Sequence, residues 1–243
     1  MRSPFSLHFR PASGAGGFTL LEILLAVGLF GLLASIMFAA FDGVVKNTRA
    51  TDRIITRYGA AQACMARITA DLQGMAVTLS PAYSRPEGVD DQDPWQVEGK
   101  SCSGEPETFG EVRFATSAHL DLAGDGRTGV AQVRYYVTEA DLPQKGWVLR
   151  RSDLLNWDLF EPDEILDPVL CPDVKRITFT FYDKKGDARE EWNSESEESE
   201  FATPRAVEVI LEVAVDGDDD NRGESGGVVF TTRVELPVCR DKG

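Results

Sequence analysis

The sequence is poor in the residue types on which most enzymes and nucleic-acid-binding proteins depend. Its 243 residues include two histidines, His8 and His119, which leaves little for histidine-based catalysis or a histidine-rich metal site. Acidic residues outnumber basic ones by 40 to 25, and no basic stripe offsets the formal charge of −15, which repels nucleic-acid phosphate. No P-loop or HExxH motif occurs. We therefore expect neither an enzyme nor a nucleic-acid-binding protein, and we expect no cofactor.

Cysteines are few and widely spaced. Cys64, Cys102, Cys171 and Cys239 form no CxxC pair, which excludes the usual redox and zinc-ribbon spacings. An even number of cysteines in an exported domain is typical of up to two disulfides, with three ways to pair four residues. Cys171 precedes one predicted strand and Cys239 ends the last, so antiparallel neighbours would bring them together, and we favour that pair. Four separate thiols in the core are the alternative.

Charge and proline are missing from one long segment near the N-terminus. Residues 18–41 carry no charged side chain except Glu22, and no proline lies between Phe18 and Ser80. As a helix, residues 18–41 would rise about 36 Å, enough to cross a bilayer core of about 30 Å. Residues 42–79 are charged, but their apolar side chains recur at steps of three and four, as on one helix face. The sequence predicts one continuous helix to about residue 77, with a transmembrane half and an amphipathic half.

The remaining residues, 80–243, are predicted to form a β-rich globular domain. Runs rich in Val, Ile, Phe, Tyr and Thr alternate with turn residues, and several runs have a period of two. The predicted strands span residues 111–115, 131–139, 146–151, 174–183, 205–215 and 227–238. Their apolar faces need a partner, which the amphipathic helix stripe provides. The predicted fold class is therefore α+β, with a long N-terminal helix packed on an antiparallel C-terminal domain.

Three interpretations compete for the apolar run. A secretory signal peptide has a shorter apolar core and a small-x-small cleavage site, whereas this run is long and ends in SIMFAAFDG. A plain anchor for a solute-binding or sensor domain fits the length but does not explain Glu22, because a carboxylate inside a bilayer is unfavourable by several kcal/mol. The third interpretation is a helix that is first processed and then assembled with other helices.

The phrase GFTLLE, Gly17 to Glu22, resembles the class III leader shared by type IV pilins and type II secretion pseudopilins. The resemblance implies that residues 1–17 are a leader, which an inner-membrane aspartyl prepilin peptidase removes after Gly17. Phe18 would then become an N-methylphenylalanine terminus, and Glu22 the fifth residue of the mature chain. In that family the carboxylate pairs with the terminal amine of a neighbouring subunit. Capping of its own helix is the alternative role for Glu22.

Several strand phrases resemble the J-type minor pseudopilins of type II secretion systems. They are VRYYV, WVLRR, VKRITFTFYD and PRAVEVILEV, in that order, with Thr203 in place of the usual leucine before Pro204. The resemblance implies a pilin-like fold and a tip complex with I- and K-type minor pseudopilins that starts the pseudopilus, which the major pseudopilin extends. It also implies a single inner-membrane pass with a periplasmic C-terminal domain. A W-type minor pilin of a type IV pilus is the alternative.

Two further features are candidate sites. Gly28, Gly31 and Ala34 lie at steps of three and would allow close helix packing in the membrane, or are incidental. Residues 216–224, DGDDDNRGE, alternate acidic side chains as a calcium loop does, but Asn221 stands where such a loop needs glycine. We interpret this segment as a solvated hairpin loop and predict no metal site.

Overall fold

A computed structural model describes residues 17–86, 93–104, 107–121, 126–141, 146–155, 167–214 and 227–241, with only the backbone at residues 50, 102–104 and 107–108. The chain divides into two compact units, Met1–Asp52 and Arg53–Gly243. The predicted leader up to residue 16, the short helix suggested by NWDLF and the acidic loop 216–224 lie outside the described residues.

A single helix, α1, spans Leu20–Gln73, as the absence of proline predicts. It is the one helix in the described part of the chain that is long and apolar enough to cross a membrane. The large apolar side chains of its first unit, such as Leu24, Phe30 and Ile36, are exposed. A helix with apolar side chains on every side is suited to lipid rather than to water.

In the second unit, one face of α1 is buried in the protein core. The buried residues are Ala61, Cys64, Met65, Ile68 and Leu72, at helical steps of three and four. The predicted stripe is therefore confirmed at its C-terminal end. Ile55 and Tyr58, which the same pattern placed on that stripe, are 63% and 49% exposed.

The helix ends earlier than the sequence predicts. Gly74 follows it, and its carbonyl accepts a hydrogen bond from the Ser117 N–H at 2.8 Å. Strand β1, Met75–Ala76, then pairs with residues 115–116. A Cβ at Gly74 would lie 2.8 Å from Oγ1 of Thr116, so only glycine fits this close approach. Tertiary strand pairing thus overrides the helical pattern of residues 74–77.

The described residues of the domain contain ten further strands. They are β2 Glu98–Gly104, β3 Glu107–Thr116, β4 Ala131–Glu139, β5 Trp147–Leu154, β6 Val169–Cys171, β7 Val174–Tyr182, β8 Ala188–Arg189, β9 Trp192–Asn193, β10 Ala206–Ala214 and β11 Gly227–Glu235. All six predicted strands are present. The short strands β1, β6, β8 and β9, and also β2, were not predicted.

The strands form one sheet with the order β11-β10-β7-β3-β4-β5-β6. Strands β1 and β2 pair with β3, β8 pairs with β7, and β9 pairs with β2. Every pairing is antiparallel except the single bridge between β3 and β7. The predicted α+β, pilin-like class with an antiparallel-rich sheet is confirmed.

The core lies between the C-terminal part of α1 and one face of the sheet. Strand β10 supplies alternate buried residues, Val207, Val209 and Leu211, and β7 supplies Ile177, Phe179 and Phe181. Period-two alternation on both strands explains why their positions could be read from the sequence.

Candidate functional site

The predicted processing site lies at the start of the described chain. Gly17, Phe18 and Thr19 precede the helix without regular structure, and all three are exposed. A Cβ at Gly17 would meet no heavy atom within 4 Å. Phe18 is 78% exposed. Among the described residues, nothing therefore packs against the Gly17–Phe18 bond.

Thr19 caps the helix, a role that was not predicted from the sequence. Its backbone carbonyl accepts hydrogen bonds from the N–H groups of Glu22 and Ile23, at 3.0 and 3.2 Å. Its Oγ1 also accepts the Glu22 N–H at 3.3 Å. Threonine at the N-cap with glutamate three residues later is the capping-box pattern, and TLLE in the sequence carried that signal.

Glu22 lies in the first turn of α1, where the helix dipole favours a negative charge. The structure therefore accommodates the alternative role of this residue, stabilisation of its own helix. One helical turn separates Glu22 from Phe18, so the two positions lie near the same end of the helix. Further along the apolar part of α1, a Cβ at Gly28 or Gly31 would meet no heavy atom within 4 Å, so no described part of this chain fills the space beside them.

A buried cluster of charged groups joins the C-terminal part of α1 to the sheet. Arg151 on β5 donates from Nε to Oδ2 of Asp71 at 2.7 Å and from Nη2 to Oδ1 at 3.2 Å. The Tyr135 hydroxyl and the Arg67 guanidinium also donate to the Asp71 carboxylate. The Asp71 side chain is fully buried, and each of its oxygens is hydrogen-bonded, as a charge removed from water requires.

The cluster continues to Asp153. This carboxylate accepts hydrogen bonds from Arg151 Nη1 at 2.5 Å and from the Leu120 N–H at 2.8 Å, and it contacts His119 Nδ1 at 2.5 Å. Burial pushes the pKa of Asp153 upward, but the hydrogen bonds from His119, Arg151 and Leu120 outweigh it and hold that pKa below its usual value. For Tyr135, burial dominates and raises the pKa of the phenol to about 12.

A second buried cluster fixes the C-terminal end of the chain. Arg240 donates to Asp93 at 3.0 Å, to the Ser194 carbonyl at 2.8 Å and to the Glu195 carboxylate. Its guanidinium also lies 3.4 Å from the centroid of the Tyr83 ring. No sequence motif marked Arg240, because its partners come from three distant segments.

Three of the four cysteines, Cys64, Cys171 and Cys239, are free thiols in the structure. The two sulfurs of the favoured pair, Cys171 and Cys239, have different neighbours. Cys239 Sγ lies instead against the carbonyls of Pro204 and Leu236, at 3.4 and 3.5 Å. The thiol neighbour of Cys171 is Cys64 on α1, and the interaction between them raises the pKa of the Cys64 thiol. Cys102 is on β2, and its side chain is outside the described part.

Both buried clusters are built around arginine–carboxylate pairs. The carboxylates of Asp71 and Glu195 are engaged by arginine, so their chemistry is that of charge pairs that position α1 and the C-terminus. Among the described residues, no group of three or more His, Cys, Asp and Glu side chains is gathered as metal ligands. The acidic loop 216–224 is not among those residues, so its interpretation as a solvated hairpin stays a prediction.

The sequence was compared with models of known protein families. A family model described as type II secretion system (T2SS), protein J, matches residues 39–218, more than half of the chain. The match begins in the exposed apolar part of α1 and covers the charged cluster around Asp71 and the sheet as far as β10.

Proposed function

The chain belongs to the family of type II secretion system protein J, and on that premise we propose that it is a minor pseudopilin processed at Gly17–Phe18 and assembled into the tip of the pseudopilus. Membership of this family supports a role for the chain in type II secretion. The family match, joined to a capped apolar helix that begins directly after GF, is the observation that carries the proposal. A W-type minor pilin is the less favoured alternative, because the match is to the secretion family.

The first step is removal of residues 1–17 by a prepilin peptidase. Three observations support it: the Gly17–Phe18 bond is exposed, Gly17 has open space around it, and the regular helix starts only at Leu20. A peptidase needs an accessible segment, and Gly17 and Phe18 are exposed ahead of the Thr19 cap. Methylation of the new Phe18 terminus would follow.

The second step is anchoring and membrane assembly. The exposed apolar part of α1 is long enough for a single inner-membrane pass. The basic leader, with Arg2 and Arg10, favours a cytoplasmic N-terminus, and the C-terminal domain would then be periplasmic. Cleavage creates a positive amine on Phe18, and a neighbouring subunit's Glu22 would offset its charge in the low-dielectric membrane.

The third step is formation of a tip complex. The partners proposed are the I- and K-type minor pseudopilins, followed by the major pseudopilin. Small residues at Gly28, Gly31 and Ala34 would let their helices approach closely in lipid. The buried carboxylates Asp71 and Glu195 are engaged by arginines and join segments of the chain.

The N-terminus of the mature chain tests this proposal. Full-length protein isolated from the membranes of a host with the secretion system should begin with methylated Phe18 when analysed by mass spectrometry. Gly17→Val should block cleavage and retain Met1. A Cβ at Gly17 meets no neighbouring atom, so this loss would report recognition by the peptidase and not misfolding.

Gly28→Ala is the matched control, because Gly28 also has open space but lies inside the helix. This variant should be cleaved normally. A wild-type chain that retains Met1, or one that begins near Phe41, would contradict the proposal. Co-purification with I- and K-type partners, in preference to pilus subunits, would separate the secretion role from the W-type alternative.

A further inference from the structure

The sheet register places Cys171 of β6 on the face of the sheet that packs against α1. Cys171 pairs directly with Leu149 of β5, so their side chains lie on the same face of the sheet. Arg151, two residues further along β5, contacts Asp71 on α1, so this face of β5 points toward the helix. Cys64 lies seven residues before Asp71, two helical turns away on the same side of α1.

A further contact fixes the helix against this part of the sheet. Two turns before Cys64, Arg57 forms an ion pair with Asp173 at 3.4 Å. Asp173 follows Cys171 by two residues and has a left-handed backbone, with φ of 56°. The helix is therefore held on both sides of Cys64, by Arg57 and by Asp71, and Cys64 is held beside Cys171.

Both sulfur-bearing side chains are inside the core. Cys64 is fully buried and Cys171 is 1% exposed. The hydrogen bond with Cys171, together with burial, raises the pKa of the Cys64 thiol above its ordinary value. A thiol that stays protonated is a poor nucleophile, so the folded, reduced protein should resist oxidation.

We propose that Cys64 and Cys171 form a disulfide that joins helix α1 to strand β6 in the mature protein. The inference relies on the periplasmic location proposed above, because that compartment is oxidising. The oxidant is the disulfide of a thiol–disulfide oxidoreductase. One cysteine thiolate attacks it to form a mixed disulfide, and the second thiolate displaces the oxidant. The protein loses two S–H bonds and gains one S–S bond, while the oxidant's S–S bond breaks and its two sulfurs take up the two electrons and two protons as a dithiol.

Such a disulfide would constrain the position of α1 on the domain. It would join residues roughly 100 positions apart, a separation at which loop closure removes much of the entropy of the unfolded chain. It would also hold the C-terminal part of α1 on the domain while the apolar part is drawn into an assembly. The Asp71–Arg151 pair and the disulfide would then act two turns apart on one helix face.

Tryptic mapping without reductant tests the pairing, because trypsin separates all four cysteines. Cys64 falls on peptide 58–67, Cys102 on 101–113, Cys171 on 152–175 and Cys239 on 234–240. Full-length protein is extracted from membranes into detergent, its free thiols are blocked with N-ethylmaleimide under denaturing conditions, and the digest is analysed by mass spectrometry. Peptides 58–67 and 152–175 should be recovered linked, and the link should survive Cys239→Ser but not Cys64→Ser.

A parallel sample is reduced, unfolded and refolded in glutathione redox buffer, which removes the dependence on the compartment. A link in both samples supports the disulfide. A link in the refolded sample alone supports the pairing and overturns the periplasmic location. Blocked Cys64 and Cys171 in both samples, or Cys64 linked to Cys102 or Cys239, overturns the pairing.

Discussion

Arg151 on β5 and Asp71 on α1 form a buried ion pair across 80 positions of sequence, with Nε 2.7 Å from Oδ2. Side-chain exposure is 2% for Arg151 and 0% for Asp71. Tyr135, the direct partner of Arg151 in the β4–β5 register, contacts the same carboxylate. Two strands therefore converge on one helix residue, which fixes the rotation of α1 about its axis. An apolar stripe alone would tolerate small rotations of the helix.

Replacing Asp71 with Asn should be strongly destabilising. The variant keeps the shape but removes the charge that compensates Arg151 and Arg67, and breaking one side of a buried pair typically lowers the free energy of unfolding by about 3–5 kcal/mol. Urea unfolding followed by circular dichroism measures the loss. The control is Glu98→Gln, which breaks a 2.7 Å pair with Arg113 that is partly exposed, and it should cost less than about 1 kcal/mol. Equal losses of unfolding free energy in both variants would show that burial does not increase the contribution of the ion pair.

Acid should destabilise the protein partly through Asp153. Its folded-state pKa lies below the usual value, so its contribution is complete above about pH 4, the usual pKa of unfolded Asp. The contribution is lost as the pH falls through that value and then through the lower folded-state pKa. Asp153→Asn should therefore be less stable at neutral pH and should lose less stability on acidification. Urea midpoints from about pH 6 to about pH 2 measure this.

The comparison for Asp153 is Glu235→Gln, because Glu235 is exposed at the end of β11. Its urea midpoint should follow the wild-type dependence on pH. A slope for Asp153→Asn that matches the wild type would mean that His119 and Arg151 do not stabilise the ionised carboxylate.

Gly99 on β2 should not tolerate a side chain. A Cβ at this position would lie 2.2 Å from Cζ of Phe181, a ring that is fully buried in the core. Gly99→Ala should lower the free energy of unfolding by about 1–3 kcal/mol, as overpacking does. We expect the opposite effect for Gly59→Ala. Gly59 lies within α1 and has open space around it, so alanine should raise the free energy of unfolding by up to about 1 kcal/mol. Urea unfolding of both variants checks the two signs.

The sequence was informative where a pattern repeats over many residues. Strand β4 was predicted with its observed bounds, and β7 and β10 to within a residue, because in each of them buried and less buried side chains alternate over six or more positions. Strands β8 and β9 have two residues each, too few to show any period. The partner of β9 is β2, nearly a hundred residues away, and the early end of α1 likewise depends on the distant residues 115–116.

The buried ion pairs could not be predicted from the sequence, for a related reason. Asp71 sits in an amphipathic helix, where a carboxylate usually marks the solvated face, and nothing local shows that Arg151 approaches it. The adjacent arginines of WVLRR illustrate this: Arg151 is paired with Asp71, whereas Arg150 is paired with Asp141 at 2.7 Å. Cys64 and Cys171 are likewise neighbours only through the sheet register. The Thr19 cap differs, because T-x-x-E is visible in the sequence.

A pair of variants can separate the two roles of the first turn of α1, which are capping of its own helix and pairing with a neighbouring subunit. Thr19→Ala removes the hydroxyl that caps the helix, which should weaken its first turn by about 0.5–2 kcal/mol, but it leaves the Glu22 charge in place. Glu22→Gln keeps a side chain suited to the capping box and removes the charge.

If Glu22 pairs with the terminal amine of a neighbouring subunit, Glu22→Gln should sharply reduce co-purification with the proposed I- and K-type partners from detergent-solubilised membranes. Thr19→Ala should keep most of it, because a frayed first turn can re-form in lipid, where unpaired N–H groups are unfavourable. Equal retention in both variants would mean that the Glu22 carboxylate serves only its own helix.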